Sequence, residues 1–81
     1  MNYSEQARKI LYNWVNKDGI HEADFEDVQI VWFCKTLQNW KALLILTNHF
    51  DGRYYELTHN GDKNETYIDL YEKMKNVCIK D

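Results

Sequence analysis

Three histidines, two cysteines and a single serine are the side chains that could act as catalytic bases or nucleophiles in this sequence. Covalent catalysis needs a serine or cysteine held against a histidine, which a third group orients. The histidines are instead scattered over a loop and two predicted strand ends: His21, His49 and His59. Cys34 shares a predicted sheet face with His49 but lies at a different level of the ladder, too far for a hydrogen bond. We therefore expect that the protein is not an enzyme and that its histidines are partly exposed.

An acidic loop over residues 18–27 is the second feature with potential chemistry. It contains five carboxylates and no lysine or arginine: Asp18, Glu22, Asp24, Glu26 and Asp27. Such a loop could bind a divalent cation together with His21, but it lacks the alternating ligands and the fixed glycine of a calcium loop. A solvated connection is the better interpretation, so we expect no metal and no cofactor.

Length and composition indicate one small soluble domain, 1–81. The sequence has no apolar stretch long enough to span a bilayer and no signal-peptide hydrophobic region, which predicts no membrane contact and a cytoplasmic location. A net charge of −3 argues against nucleic-acid binding. Cys34 and Cys78 lack the spacing of a zinc or redox pair and are too few for a disulfide scaffold, so we expect buried free thiols.

The first predicted element is a helix over residues 3–17. Its apolar side chains recur at spacings of three and four, which places them on one side: Tyr3, Ala7, Ile10, Leu11 and Trp14. Asn2 can cap its start, with Glu5 returning the bond as in a capping box, and Gly19 suits its end.

Residues 28–58 predict three antiparallel strands, because β-branched and aromatic residues are dense there. Asp51-Gly52 is a strong signal for a two-residue hairpin turn, and Gln38-Asn39 is a weaker one. Side chains alternate along a strand, so counting from these turns separates two faces. The core face contains Val31, Phe33, Leu37, Trp40, Ala42, Leu44, Leu46, Phe50, Tyr55 and Leu57.

After the turn at Asn60-Gly61-Asp62, a C-terminal helix competes with a fourth strand. Residues 66–71 alternate as a strand would, but a longer set has helical spacing: Tyr67, Leu70, Tyr71, Met74, Val77 and Cys78. Length and periodicity favour the helix. The predicted fold is therefore α+β, with a three-stranded antiparallel β-meander flanked by an N-terminal and a C-terminal helix in two layers.

Three segments carry a resemblance to a known family: VWFCKTLQNWKAL at 31–43, DGRYYE at 51–56 and NGDKNETY at 60–67. Together they resemble a family of short uncharacterised proteins encoded by tailed phages and prophages of Gram-positive bacteria. The resemblance implies a phage or prophage origin and the cytoplasm of the host cell. It implies no activity and carries over no site residue.

The second face of the predicted sheet contains the candidate functional site. Ile30, Trp32, Leu43 and Ile45 form one apolar patch at its centre, with Trp32 directly opposite Ile45 in the expected register. A polar rim surrounds this patch: Lys41, Thr47, Tyr54 and Glu56. Two arrangements of this face are possible. It could be an exposed contact surface, or a helix could cover it, in particular the C-terminal one.

The expected function is non-enzymatic protein–protein interaction through this face. The partner would be another protein, from the host or the phage, or a second copy of the chain in a homodimer. One alternative is single-stranded nucleic-acid binding by stacking on Trp32 and Tyr54, although Lys41 is the only base on that predicted face. The other is an acidic nucleic-acid mimic that uses residues 18–27 to inhibit a host enzyme.

Overall fold

The computed structural model describes residues 2–17, 22–48, 53–72 and 77–80. These residues form one α-helix, one short 3-10 helix and one antiparallel sheet in which the strands follow each other in chain order. The elements are α1 Tyr3–Lys17, the 3-10 helix Phe25–Asp27, β1 Val28–Thr36, β2 Asn39–Leu46, β3 Arg53–Asn60 and β4 Glu65–Glu72. The α+β class is confirmed, but the sheet has four strands rather than three.

The helix α1 is confirmed over the predicted residues. The backbone N–H of Ser4 donates to Asn2 Oδ1 at 2.8 Å, so Asn2 is the cap, and the Gln6 N–H bonds the Asn2 carbonyl at 3.0 Å. Ala7, Leu11 and Val15 are buried at four-residue spacing and face the sheet. The expected end at Gly19 lies outside the described residues.

The predicted C-terminal helix is wrong, because the structure places a fourth strand, β4, after the turn. It pairs with β3 without interruption, from Asn60 opposite Glu65 to Arg53 opposite Glu72. The backbone groups of β3 would otherwise be left unpaired along one side, and β4 satisfies them. Met74 lies outside the described residues, while Val77 and Cys78 are exposed and belong to no helix.

The first hairpin differs from the expected one in its turn. Thr36 pairs with Asn39, so the turn residues are Leu37 and Gln38, with Leu37 at a φ of 56°. A two-residue hairpin with positive φ at its first central position matches the twist of the strands. Leu37, expected in the core, is therefore at the exposed tip of the hairpin.

A β-bulge at Val31 changes the faces of β1. The pairing passes from Ile30 opposite Leu44 directly to Trp32 opposite Leu43, which leaves Val31 unpaired. Val31 is 58% exposed instead of lying in the core, while Val28 is fully buried and Ile30 packs against the core. The alternation rule failed here because it assumes an unbroken ladder.

The face assignment of β2 and β3 is confirmed. Their inward side chains are buried as expected: Trp40, Ala42, Leu44, Leu46, Tyr55 and Leu57. The proposed turn at Asp51-Gly52 and the proposed core residue Phe50 lie outside the described residues.

The core lies between α1 and one face of the sheet, which we call the inner face; the opposite one is the open face. The helix packs mainly on β1 and β2 and reaches β3 through Trp14, whose ring centroid lies 6.3 Å from that of Tyr55. An α-helix is about 10 Å wide, whereas four strands span more than about 14 Å from the first to the last. One helix therefore cannot cover the whole inner face, and Leu70 on β4 remains 40% exposed.

Candidate interaction surface

The open face is a grid of side chains from four strands, and the observed register fixes their neighbours. One row runs from Trp32 through Leu43 and Glu56 to Asp69. The parallel row runs from Cys34 through Lys41 and Thr58 to Tyr67. Directly opposed residues in a sheet share a face, so these eight side chains lie on one surface.

Aromatic and aliphatic side chains occupy the middle of this surface. Trp32 is 48% exposed, and its neighbour Leu43 is partly buried. Tyr54 and Tyr71 stack with ring centroids 5.1 Å apart and an angle of 13° between the rings. Ile45 follows Leu43 on the same face of β2 and is partly buried. These residues form an apolar stripe that crosses the sheet and reaches solvent.

Acidic groups border the stripe on the side of β3 and β4. Lys41 Nζ lies 3.9 Å from Glu56 Oε2, an exposed ion pair that contributes little to stability. Tyr71 donates to Glu56 Oε1 at 3.4 Å, and Tyr67 donates to Glu65 Oε2 at 3.0 Å. The negative charge of Glu56 raises the pKa of Tyr71, and the hydrogen bond to Glu65 raises the pKa of Tyr67.

The open face is therefore net acidic. Its described strands carry the base Lys41 and the acids Glu56, Glu65 and Asp69. Three negative charges against one positive charge give a formal charge of −2 for this surface. A strand-tracking nucleic-acid groove needs several cations along the backbone path, and this surface lacks them.

Two of the eight residues assigned to the site from sequence do not belong to it. Ile30 is on the inner face, because the bulge at Val31 reverses the alternation before it. Thr47 lies in the turn after β2, where its N–H donates to the Asp27 carbonyl at 2.8 Å and its hydroxyl to Asp27 Oδ1 at 3.2 Å. Thr47 therefore links that turn to the 3-10 helix through these two hydrogen bonds.

The expected opposition of Trp32 and Ile45 is also wrong. Trp32 lies opposite Leu43, and Ile45 lies opposite Gln29. The pair at the β1 end of the apolar stripe is therefore Trp32 with Leu43. The remaining assigned residues lie on the open face as expected: Trp32, Lys41, Leu43, Ile45, Tyr54 and Glu56.

Sequence reasoning missed the contribution of β4 to this surface. Tyr67, Asp69 and Tyr71 alternate with Ile68 and Leu70, and this alternation was the available signal. Because these residues were assigned to a helix, the predicted sheet lacked them, and the stacking of Tyr71 on Tyr54 was not predicted.

The cysteines are exposed, in contrast to the expected buried thiols. Cys34 follows Trp32 on the open face, which α1 does not cover. Cys78 lies in the exposed segment 77–80. Both are free.

His59 is buried on the inner face, where partial exposure was expected. Its ring stacks on Trp40 with centroids 5.1 Å apart, and its Nδ1 lies 2.8 Å from Thr66 Oγ1. The histidine therefore has a packing role beside Trp40. His21 and His49 lie outside the described residues.

The described part of the acidic loop forms a local hydrogen-bond network. The Asp24 N–H donates to Asp27 Oδ2 at 3.0 Å, and the Asp27 N–H donates to the backbone carbonyl of Asp24 at 3.0 Å. Asn16 donates to the Ala23 carbonyl at 2.9 Å and accepts from the Ala23 N–H at 3.0 Å. A cleft of about 400 Å³ lies beside this network, lined by Tyr12, Asn16, Glu22, Ala23, Asp24, Asp27 and Asn48.

No group of three or more histidine, cysteine or acidic side chains in the described part of the chain is placed to share a metal ion. Asp18 and His21, which belong to the acidic loop, fall outside that part. Among the described residues, no helix is long and apolar enough to cross a membrane.

The comparisons with known proteins identify a family but no characterised relative. No curated protein and no solved structure matches the chain. A family of unknown function, DUF6275, matches residues 4–81, which is nearly the whole sequence. The chain therefore belongs to the DUF6275 family.

Proposed function

We propose that the protein is a non-enzymatic interaction module whose open face binds another protein. The observation that carries this proposal is the apolar stripe of Trp32, Leu43, Ile45, Tyr54 and Tyr71, which lies on the face away from α1. Contiguous apolar surface that reaches solvent is typical of interaction sites. A large aromatic side chain near the centre of an interface often contributes most of its binding energy.

The charges around the stripe favour a particular partner chemistry. A formal charge of −2 complements a partner that presents an apolar centre with a basic rim. Two copies stacked face to face would oppose two acidic surfaces, which disfavours the sheet-on-sheet homodimer. Phosphate groups would meet the same repulsion, so exposed tyrosines alone do not make this surface a nucleic-acid site.

Mimicry of nucleic acid by residues 18–27 has less support. The Asp27 carboxylate accepts hydrogen bonds from the Asp24 N–H and the Thr47 hydroxyl. This carboxylate thus stabilises the loop, whereas a phosphate mimic presents a row of solvent-facing charges.

We further propose a phage or prophage origin and a place of action in the host cytoplasm. The support is the resemblance of residues 31–43, 51–56 and 60–67 to short proteins of tailed phages and prophages. The partner would then be a protein of the Gram-positive host or of the phage.

The test is affinity capture from a Gram-positive host lysate, with and without phage infection and with and without nuclease. We expect the wild-type protein to retain a protein partner and Trp32→Glu to lose at least about 30-fold in affinity, as for an interface hot spot worth about 2 kcal/mol. Thr36→Glu is the matched control, because Thr36 is exposed on the same face of β1 at the hairpin end.

Both variants should keep the wild-type thermal stability within a few degrees, since both side chains are exposed or half-exposed. Recovery of nucleic acid without a protein partner would overturn the proposal. So would a folded Trp32→Glu variant that binds the captured partner as tightly as the wild type.

A further inference from the structure

Among the described strands, β4 forms an edge of the sheet, since its one neighbour in the strand order is β3. We propose that β4 pairs antiparallel with β4 of a second copy, which joins two four-stranded sheets into one continuous sheet. The contact uses the backbone edge of β4 and is separate from the open-face contact proposed above. The resulting dimer would present the open faces of both copies side by side on one surface.

The two edges of the sheet differ in how well they are protected. On β1 the bulge at Val31 interrupts the ladder, and Arg8 Nε donates to the Val28 carbonyl at 2.7 Å. Bulges and covering side chains are typical means of blocking an edge. In contrast, β4 pairs with β3 in an unbroken register and contains no glycine, proline, lysine or arginine. This edge is therefore the one suited to strand addition.

The inner face beside β4 also favours a second copy. Ile68 and Leu70 lie opposite the core residues Leu57 and Tyr55, so they share the inner face. The helix reaches β3 only through the contact of Trp14 with Tyr55 among the ring contacts of the described residues, and Leu70 on β4 remains 40% exposed. Pairing two β4 strands would place these side chains from both copies next to each other and extend the apolar surface across the junction.

Symmetry and charge together select the register of this contact. A two-fold axis perpendicular to the sheet keeps both inner faces on the same side, so opposed residues must lie on the same face. With the axis at Ile68, Tyr67 lies opposite Asp69 of the partner subunit and Tyr71 lies opposite Glu65 of the partner subunit. No acid is then directly opposed to another within the strand.

The neighbouring registers are less favourable. An axis at Asp69 would oppose two aspartates directly, and an axis at Tyr67 would oppose Glu65 to Asp69 of the partner subunit. Axes nearer either end of β4 shorten the paired segment. The geometry therefore points to Ile68 as the centre of the contact.

The experiment measures the dimer dissociation constant by sedimentation equilibrium for variants at Tyr67, which is 58% exposed. Tyr67→Glu places an acid opposite Asp69 of the partner subunit, and Tyr67→Lys places a base there. We expect Tyr67→Glu to weaken the dimer about fivefold or more and Tyr67→Lys to tighten it, since each substitution acts twice per dimer. Thr58→Glu and Thr58→Lys are the matched controls, because Thr58 lies beside Tyr67 but one strand inward.

Three further observations decide between this contact and others. Added salt should tighten the wild-type dimer, because each β4 strand carries three acids, Glu65, Asp69 and Glu72. Backbone amides of β4 should exchange more slowly with solvent as the protein concentration rises. Trp32→Glu should leave the dimer intact, which separates this contact from the open-face contact.

A protein that stays monomeric at the highest soluble concentration would overturn the proposal. Equal weakening of the dimer by Tyr67→Glu and Tyr67→Lys would place the Tyr67 side chains of the two copies opposite each other. That result would exclude the register centred at Ile68. A dimer in which the Thr58 variants weaken association as much as the Tyr67 variants would lie on the open face instead of the edge.

Discussion

Trp40 shows at the residue scale how this small core obtains its stability. Its side chain is 2% exposed and lies between the rings of Phe33 and His59, with centroids at 5.9 Å and 5.1 Å. Its Nε1 is buried without a hydrogen-bond partner among the described residues. The indole therefore stabilises the fold by apolar contact and stacking, while its N–H adds a desolvation cost.

We predict that Trp40→Phe costs less than about 2 kcal/mol, because the smaller ring keeps much of the packing and removes the unpaired N–H. Trp40→Ala should cost about 3–5 kcal/mol, since it leaves a cavity between two rings. Urea unfolding monitored by circular dichroism measures both. Trp32→Ala is the control for loss of an indole and should cost much less, because Trp32 is half-exposed. Equal losses for Trp40→Phe and Trp40→Ala would contradict the assignment of its contribution to ring packing.

At the element scale, the two turns at one end of the sheet bind each other. The Gly61 N–H donates to Asn39 Oδ1 at 2.8 Å, and Gln38 Nε2 donates to Asp62 Oδ1. A Cβ atom on Gly61 would overlap the backbone carbonyl oxygen of Gln38. The turn after β3 thus contacts the turn after β1, which aligns the β1–β2 hairpin with the β3–β4 hairpin.

We predict that Gly61→Ala lowers the free energy of unfolding by about 1–3 kcal/mol, because the added methyl group must displace backbone atoms. Asp62→Ala is the comparison variant. It removes a side-chain hydrogen bond at an exposed position and should cost less than about 1.5 kcal/mol. Thermal unfolding measures both, and a Gly61→Ala protein as stable as the wild type would contradict the close approach of the two turns.

The bulge at Val31 explains at the element scale why Ile30 and Trp32, two residues apart in β1, lie on opposite faces of the sheet. Val28 and Ile30 reach the core on one side of it, and Trp32 reaches the open face on the other. Without the extra residue in the count, alternation assigns Ile30 to the wrong face. The same irregularity helps to block the β1 edge.

At the scale of the whole molecule, the chain forms a thin two-layer structure. The smallest of its principal extents is 18 Å, which matches one sheet with one layer of helix. Within the described part of the chain, no strand pairs with the outer edge of β4, and Trp32, Tyr54, Tyr71 and Leu70 are exposed to solvent. A chain of this size buries a limited fraction of its surface, and association is one way to bury more.

We predict that removing residues 77–81 changes the thermal midpoint by no more than a few degrees. Val77 and Ile79 are 62% and 86% exposed, so their loss removes little buried apolar surface. Truncation after Asn64, which also removes β4, is the contrasting variant and should lower the midpoint strongly or prevent folding. If the shorter deletion destabilises the protein as much as the longer one, the C-terminal segment must pack on the core. The C-terminal helix predicted from sequence would have packed there in the same way.

The sequence alone determined the elements whose signals are local. The spacing of three and four among Ala7, Ile10, Leu11 and Trp14 predicted the helix, and Asn2 marked its start. Regular alternation in β2 and β3 separated Trp40 and Tyr55 from Lys41 and Tyr54 correctly, because an unbroken strand keeps a period of two. The open-face residues on these strands followed from that period.

Tertiary structure decided the features that depend on distant parts of the chain. Residues 66–71 are compatible with helix or strand by pattern, and pairing with the free side of β3 selected the strand. The bulge at Val31 arises where two registers of the first hairpin meet, and the local pattern of β1 does not reveal it.

Whether the open face is covered depended on how many helices pack against the sheet. With a strand in place of the second helix, α1 covers the inner face from β1 to Tyr55 on β3, and the tyrosines of β4 extend the open face.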